Sequence, residues 1–566
     1  MRKKYLVDVI IPLPLSNYYT YLIHSKIDVG TILKVPFGNN NESINAITIS
    51  ECYEKKISFP VKEIISINQR LFSNKQIKFY KWISQYYMVE LPKVFNSLFP
   101  KHIFNIISKK ISSNISTNNG KFKSNIVVDE SPNFISFLNK EIKSQTIKNY
   151  QILILTSNIL KSYEIKKKLK FKSCLFDSSR TEKETKDIWE NVNNHQNIII
   201  IGVKSALFLP FSSLSCIYVL DENDISYKES DKVIRFNTRD SAVMLSKIHS
   251  CNINLLCNFP SIESTNNILD KKYQLVNKSK AIKLKQDNRI RVINILENRI
   301  KEKYDGVLSD EIKMEISSRI KKNKKILIYS PFTSTIEDIK KSISKNGKGL
   351  FLKEIIKKNL ISKSKIERLI QNINDYNVLI GNQSILCNTL FDQFDMIVLI
   401  EPEKIRLKGN YKSNEIIFNL LYKSINYLRY KDSIEVIIQT NESQSSILQN
   451  ALKLDYKSFI RGELKERKIF KFPPYSKIIK VELNSPNKEN NSKVGSSLFK
   501  DLVKEFNDLE ISDIGISSDG KKYDIIIKYI DLNNLKLKKE KLNVFLKKIK
   551  KDKKFNDILL NIDIDP

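Results

Sequence analysis

Glycine and proline are scarce in this chain, 13 and 15 among 566 residues. The shortage bears on chemistry at once. A phosphate-cradling loop of the G-x-x-x-x-G-K-[ST] type needs two glycines so that backbone amides reach the anion. Only Gly515 and Gly520 have that spacing, in the segment GISSDGKK. It ends in lysine where a hydroxyl is required and leads into YDIIIKYI, so it reads as a hairpin turn. Cysteine and histidine are few as well, six and four, with no C-x-x-C pair and no histidine at ligand spacing from two cysteines. That excludes a zinc site and suits buried thiols in a reducing compartment. No apolar run reaches the roughly 18 residues of a membrane span. The start, MRKKYLVDVIIPLPL, is basic then apolar but is broken by Asp8, Pro12 and Pro14. It is too short for a secretory leader, so a cytoplasmic protein without a membrane partner is expected.

Acid is also in short supply, 62 Asp and Glu against 96 Lys and Arg, a formal charge of +34. Such a surplus favours a polyanion partner, most simply nucleic acid. An AT-rich genome, whose codons favour Lys, Ile and Asn, accounts for it equally well, so the charge alone proves little. Hydrophobic content of 41%, set in repeated strand-like runs, makes the chain globular. Its length suffices for three or four domains with sizeable cores.

The organising stretch is residues 198–239. Apolar runs at 198–201 and 217–220 read as buried parallel strands. The second ends in Asp221-Glu222, a carboxylate pair at the carboxyl end of a strand. In nucleotide-hydrolysing folds that position holds a magnesium ion and an attacking water; in isolation it is also an ordinary strand-to-loop acidic pair. Runs at 125–128, 151–155, 197–201, 216–220 and 254–256 alternate with helical patterns at 163–170 and 182–192, the rhythm of a parallel sheet. Runs at 324–330, 377–380, 396–400 and 436–440 suggest a second one. Alternation in 5–11, 19–23, 32–35 and 46–50 predicts a small β-rich module. A helix follows over 74–87, with Ile77, Tyr80, Trp82, Ile83 and Tyr86 facing inward. Residues 105–125 are Ser-, Asn- and Lys-rich and read as a flexible connection. Over 535–554, Leu542, Val544, Phe545 and Ile549 have helical spacing with lysines between. Its basic face is either simply solvated or a stripe for backbone phosphates.

The words GVKSALFLPF, DEND, SYKES and RFNTRD around the carboxylate pair resemble the Walker B region of the primosomal protein N′ (PriA) family of replication-restart helicases. PLPLSNYYTYLI, VGTILKVPFG and KFYKWISQYYMVELPKVFNSLFP resemble that family's 3′-end-binding domain. DYKSFIRGELKERKIFKFPPYSKIIKVEL and the terminal NIDIDP resemble its C-terminal domain. The resemblance implies an α/β fold of two parallel-sheet, helicase-type (RecA-like) lobes, with a β-rich N-terminal domain and an α+β C-terminal domain. It divides the chain into a 3′-end-binding-like domain at 1–104 and a linker at 105–125 that replaces a winged helix. Degenerate lobes follow at 126–285 and 286–445, the second without a zinc insertion, and the C-terminal domain spans 446–566. It makes Asp221 and Glu222 a vestigial Walker B pair. It also assigns Tyr19, Gly38 and Lys62 to a DNA-end pocket, with Thr20 where the family has aspartate. An aromatic stacks a terminal base and a lysine meets a phosphate, both without regard to sequence.

The departures from the family pattern fall on its chemistry. Asn223 and Asp224 replace the second acid and the histidine of DEEH, and Val203 and Lys204 the threonine and arginine of GTRSA. At the expected phosphate loop stands Asp129-Glu130-Ser131-Pro132-Asn133-Phe134, without glycine or lysine. The coupling motif SATPS has become Cys257-Asn258-Phe259-Pro260-Ser261. Arg429 sits at neither of the two arginine positions of the second lobe. One arginine finger alone is worth about 10³-fold or more in such reactions. The expected function is therefore binding of branched DNA at stalled forks and help in reloading the replicative helicase, without effective ATP hydrolysis. The alternative is an active ATP-dependent 3′→5′ helicase. ATP and magnesium are cofactors only if the family activity survives, and zinc is not expected. Forked or single-stranded DNA is the expected partner. The resemblance adds the replicative helicase, its loader and single-stranded DNA-binding protein.

Overall fold

A computed structural model describes residues 3–15, 17–54, 60–99, 103–104, 122–129, 134–145, 150–194, 197–230, 232–277, 287–301, 303–344, 350–356, 362–382, 385, 388–517, 520–555 and 557–566. Alternating residues build the first sheet from β1 (Tyr5–Ile10), β2 (Tyr19–Ile23), β3 (Thr31–Phe37), β4 (Glu42–Thr48) and β5 (Ser66–Arg70). It is antiparallel, in the order β2-β1-β4-β3-β5. β4 starts earlier than its apolar residues predict, because a tight turn sets Glu42 opposite Phe37 and the polar half of the strand pairs with β3. The helix Asn74–Tyr86 opens on a capping box, Ser73 with Gln76, which satisfies two otherwise unpaired amides. Phe79 joins its buried face.

The first lobe contains β6 (Ser124–Val128), β7 (Gln151–Leu155), β8 (Cys174–Phe176), β9 (Ile198–Gly202), β10 (Leu214–Leu220), β11 (Asn252–Cys257) and β12 (Gln274–Asn277). These run parallel in the order β12-β6-β11-β10-β7-β9-β8. The second lobe repeats the plan with β13 (Ile290–Asn294), β14 (Ile326–Tyr329), β15 (Leu352–Ile355), β16 (Val378–Gly381), β17 (Met396–Ile400) and β18 (Glu435–Thr440). Its parallel order is β13-β18-β17-β14-β16-β15. Helices cover both faces of a parallel sheet, which is why the central strands read as unbroken apolar runs. A last antiparallel sheet, β20-β21-β19-β22, is made of β19 (Lys477–Asn484), β20 (Glu510–Ile516), β21 (Lys522–Tyr529) and β22 (Leu559–Ile564). β20 and β21, on either side of GISSDGKK, pair antiparallel as a hairpin requires, while Ser518 and Asp519 lie outside the described residues.

On the helix Leu535–Ile549 the inward face carries Lys539, Leu542 and Leu546, whereas Val544 is 68% exposed. Val544 lies two residues from Leu542, on the far side of a helical turn, so the predicted apolar face needs this correction. Two large cores join the parts. One runs from the N-terminal sheet and its helices through one face of the first lobe to the C-terminal sheet. The other unites the second lobe with helices Ser446–Leu452 and Tyr456–Ile469, and also takes in Leu160, Phe259 and Ile262 of the first lobe. Among the described residues no helix is long and apolar enough to cross a membrane. None of the five described cysteines forms a disulfide. Most of the expected linker, residues 105–121, lies outside the described residues, as do 130–133 of the expected phosphate loop.

Candidate functional site

The end of β10 is where the parallel sheet delivers its carboxylates. Asp221 leaves the strand with φ +54°, in the left-handed region that few non-glycine residues adopt. The turn is held from behind by Tyr227, whose hydroxyl donates to the carbonyls of Leu220 (2.6 Å) and Leu155 (3.1 Å). It directs Asp221 toward the second lobe and Glu222 toward the loop after β11. Both side chains are buried.

Glu222 is fully engaged. Its carboxylate accepts from Arg239 Nη1 (3.0 Å), the Ser261 amide (2.6 Å), Ser261 Oγ (3.0 Å) and Ser264 Oγ (2.9 Å). Ser261 is also the N-cap of the helix Ile262–Leu269, so Glu222 anchors the start of that helix. Asp221 meets a different fate. The Lys161 ammonium, on the helix Ile159–Lys168 that follows β7, forms a direct buried ion pair with it. Lys161 also lies 5.3 Å from the centre of the buried Phe134 ring, which heads the helix after β6. From the second lobe, Lys423 on the helix Ser413–Tyr427 reaches Asp221 Oδ1 at 3.6 Å and Asp224 Oδ2 at 3.4 Å. Burial alone works against charge on Asp221, yet the two ammoniums hold its carboxyl below the ordinary range. Burial also works against Lys423, and Asp221 and Asp224 reverse the balance and raise it.

ATP with magnesium, which the family would bring to this strand end, does not fit these residues. Asp221 is already paired with a resident cation, and every lone-pair direction of Glu222 facing the helix start is taken. The segment after β6 offers a buried phenylalanine and no glycine. Among the described residues, no group of three His, Cys, Asp or Glu side chains is placed to hold a metal ion.

Charge pairs continue along the lobe boundary. Glu415 accepts from the Ile262 amide at 3.0 Å and from Arg467 Nη2 at 2.8 Å. A residue of the second lobe thus caps a helix of the first. Lys412 Nζ and Arg467 Nη1 lie 3.0 and 3.5 Å from Glu263 Oε1, and those cations keep the Glu263 carboxyl low despite its burial. Phe259, where the family has threonine, is 1% exposed. Its ring sits 5.2 Å from Phe418, 4.8 Å from Tyr422 and 6.0 Å from Tyr456, in the core of the second lobe.

In the N-terminal domain the three expected pocket residues are neighbours. Lys62 Nζ donates to the Gly38 carbonyl (3.1 Å) and to Asn41 Oδ1 (2.6 Å) and remains exposed. Gly38 has φ +75°, a conformation that only glycine holds without strain, and a Cβ there would meet no atom within 4 Å. Tyr19 packs edge-on against Phe37, with ring centres 5.0 Å apart. Thr20 Oγ1 donates to Asp8 Oδ1 at 2.8 Å, and Tyr53 Oη donates to the same oxygen at 3.0 Å. A carboxylate therefore lies directly behind Thr20 on the facing strand. Reading along the sequence missed Asp8, Lys161, Arg239, Lys423 and Glu415. Only strand register and lobe contact bring them together.

Two parallel-sheet lobes that face each other across a strand-end carboxylate pair define a helicase-type fold. A family profile described as the PriA 3′DNA-binding domain (3′BD) matches residues 8–100. The replication restart protein PriA of Rickettsia conorii is 23% identical over 569 positions, covering 83% of this chain and 86% of that protein. That of Helicobacter pylori strain 26695 is 24% identical, with coverage of 84% and 86%, and that of Borreliella burgdorferi 26% identical, with coverage of 65% and 64%. The chain is similar to the PriA replication restart proteins along most of its length. Among solved structures, the DUF1998 helicase MrfA bound to DNA and AMPPNP aligns with a TM-score of 0.36 and 11% identity, covering 60% of this chain and 48% of that one. Saccharomyces cerevisiae Dbp5 bound to RNA and ADP BeF3 aligns with a TM-score of 0.38 and 9% identity, covering 71% and 97%.

Proposed function

We propose that this chain is a cytoplasmic replication-restart protein that binds branched DNA at stalled forks and assists reloading of the replicative helicase without effective ATP hydrolysis. The reading is carried by the match of residues 8–100 to the 3′DNA-binding domain. Tyr19, Gly38 and Lys62 then form the pocket for a DNA end: the tyrosine stacks the terminal base, the lysine meets a phosphate, and the open face of Gly38 admits the backbone. Asp221 and Glu222 are the vestige of a Walker B pair, and their engagement with Lys161, Arg239 and the two serines supports the absence of turnover. The domain division at 1–104, 105–125, 126–285, 286–445 and 446–566 belongs to the same proposal. Fluorescence anisotropy on forks bearing or lacking a free 3′ end tests it, run beside DNA-stimulated ATP hydrolysis. The expected result is salt-sensitive fork binding, tighter with the free end, and no stimulated turnover. Equal and negligible binding to forked and unforked DNA overturns the DNA reading. Turnover abolished by Glu222→Gln overturns the non-hydrolysing one.

A further inference from the structure

In a two-lobed motor, bound nucleotide and its metal supply the positive and negative charges that bring the lobes together, and their loss lets the lobes part. This cleft holds its own substitutes. The cation at Asp221 is the Lys161 ammonium, covalently part of the first lobe and buried. The contact from the second lobe is made by Lys423, within 3.4–3.6 Å of Asp224 and Asp221. The coupling loop between them ends in Phe259, inserted among Phe418, Tyr422 and Tyr456. Farther out, Lys363 of the second lobe pairs with Glu184 of the first at 2.5 Å, and Lys168 of the first with Asp392 of the second at 3.5 Å. None of these contacts needs a ligand.

We propose that the two lobes are clamped shut constitutively: Lys161 stands in for the nucleotide-borne metal at Asp221, while Lys423 and Phe259 carry the lobe-to-lobe contact. The clamp rests on the reading of the cleft as a non-hydrolysing one, and it goes further. A protein that merely lost hydrolysis would still sample open and closed lobes. This one presents DNA and protein partners with a single fixed arrangement, as a scaffold does.

Lobe separation is measurable in the full-length protein by pulsed electron spin resonance. Spin labels are introduced through non-natural amino acids at the exposed positions Lys186 in the first lobe and Met314 in the second. The expected wild-type distance distribution is single and narrow, and does not move on addition of ATP or AMPPNP with magnesium, or of forked DNA. Lys423→Met and Phe259→Ala should each broaden it toward longer distances, with Lys423→Met serving alone if Phe259→Ala fails to fold. A wild-type distribution that is broad, or that shifts with AMPPNP and magnesium, overturns the clamp. So does a narrow one that both variants leave unchanged. Turnover is assayed on the same samples, so the two ideas fail separately. Moving lobes without turnover sink the clamp alone, whereas DNA-stimulated turnover sinks the reading of the cleft on which it rests.

Discussion

Replacing Glu222 with glutamine separates a catalytic carboxylate from a structural one. In a working ATPase that substitution removes chemistry and leaves the fold nearly untouched. Here it takes the charge from a carboxylate whose side chain has no exposure and which faces the buried guanidinium of Arg239 at 3.0 Å. It also turns an NH₂ group toward donors that now meet the acceptor at 2.6–3.0 Å, namely the Ser261 amide and the hydroxyls of Ser261 and Ser264. Breaking a buried charge pair by removing one partner costs about 3–5 kcal/mol. Arg239 retains Asp240 at 2.8 Å and Glu263 at 4.0 Å, which places the cost at the lower end, about 3 kcal/mol. The loss is local, since the anchored elements are the helices Ile262–Leu269 and Thr238–His249. At about 1.4 kcal/mol per factor of ten, amide hydrogen exchange in those two helices should accelerate about 10²-fold in Glu222→Gln. Exchange in the N-terminal sheet should stay as in wild type. Unchanged exchange in both helices, combined with loss of a DNA-stimulated ATPase present in wild type, refutes the reasoning.

Three further outcomes follow from the same geometry. Fork affinity measured by anisotropy should fall steeply and log-linearly with salt, and Lys62→Ala should lower the slope by about one unit, as expected for one lost phosphate contact; an unchanged slope removes Lys62 from the interface. Lys539 is buried against Tyr86, with Nζ 2.5 Å from the Tyr86 carbonyl and 4.1 Å from its ring centre. Burial and the nearby Lys477 ammonium depress its pKa to about 7 against the pull of Asp565. The folded state thus carries a penalty of about 4–5 kcal/mol below pH 7, which shrinks as pH rises toward the ordinary lysine value near 10.5 and is gone above it. Lys539→Met should therefore stabilise the junction of the N- and C-terminal domains most at pH 6 and hardly at all at pH 11 in urea titrations; a gain independent of pH contradicts the assignment. Tyr80→Phe should cost about 1 kcal/mol, because the Tyr80 hydroxyl donates to the Phe208 carbonyl at 3.1 Å across the boundary between the N-terminal domain and the first lobe.

Much of this architecture was legible because parallel strands buried on both faces leave unmistakable apolar runs. Residues 198–201, 217–220 and 396–400 fall inside strands, and β20 and β21 pair antiparallel as the predicted hairpin requires. Short strands escaped notice: β8, β12, β13 and β15 hold three to five residues each, too few to show a period. Asp221 and Glu222 were found as a pair at a strand end, but their partners come from 17 to 202 positions away, as with Arg239, Ser261 and Lys423. No spacing rule links residues that meet only when two lobes close. Asp8 was hidden for a smaller reason. It faces Thr20 through the register of two neighbouring strands, which the sequence of either strand leaves undetermined.

The division of labour within the lobe boundary explains why it mixes charge with aromatic packing. Buried ion pairs add little net stability, since desolvation consumes most of their attraction, but they penalise any arrangement that leaves a member unpaired. Lys423, with Asp221 and Asp224, accordingly sets the register of one lobe on the other. Cohesion has to come from elsewhere, and Phe259 supplies it: a fully buried aromatic side chain lost from a core costs about 3–5 kcal/mol, and its neighbours Phe418 and Tyr422 belong to the opposite lobe. The helix Ile262–Leu269 ties the two devices together. Its start is fixed by Glu222 from the first lobe and Glu415 from the second, and Phe259 lies three residues before its first turn. Sliding the lobes would expose the aromatic plug and at once take the Ile262 amide from Glu415 and Lys423 from Asp221 and Asp224. A boundary built so that its apolar and ionic contacts are broken together resists graded opening, which is the opposite of what a cycling motor needs and what the proposed fixed scaffold requires.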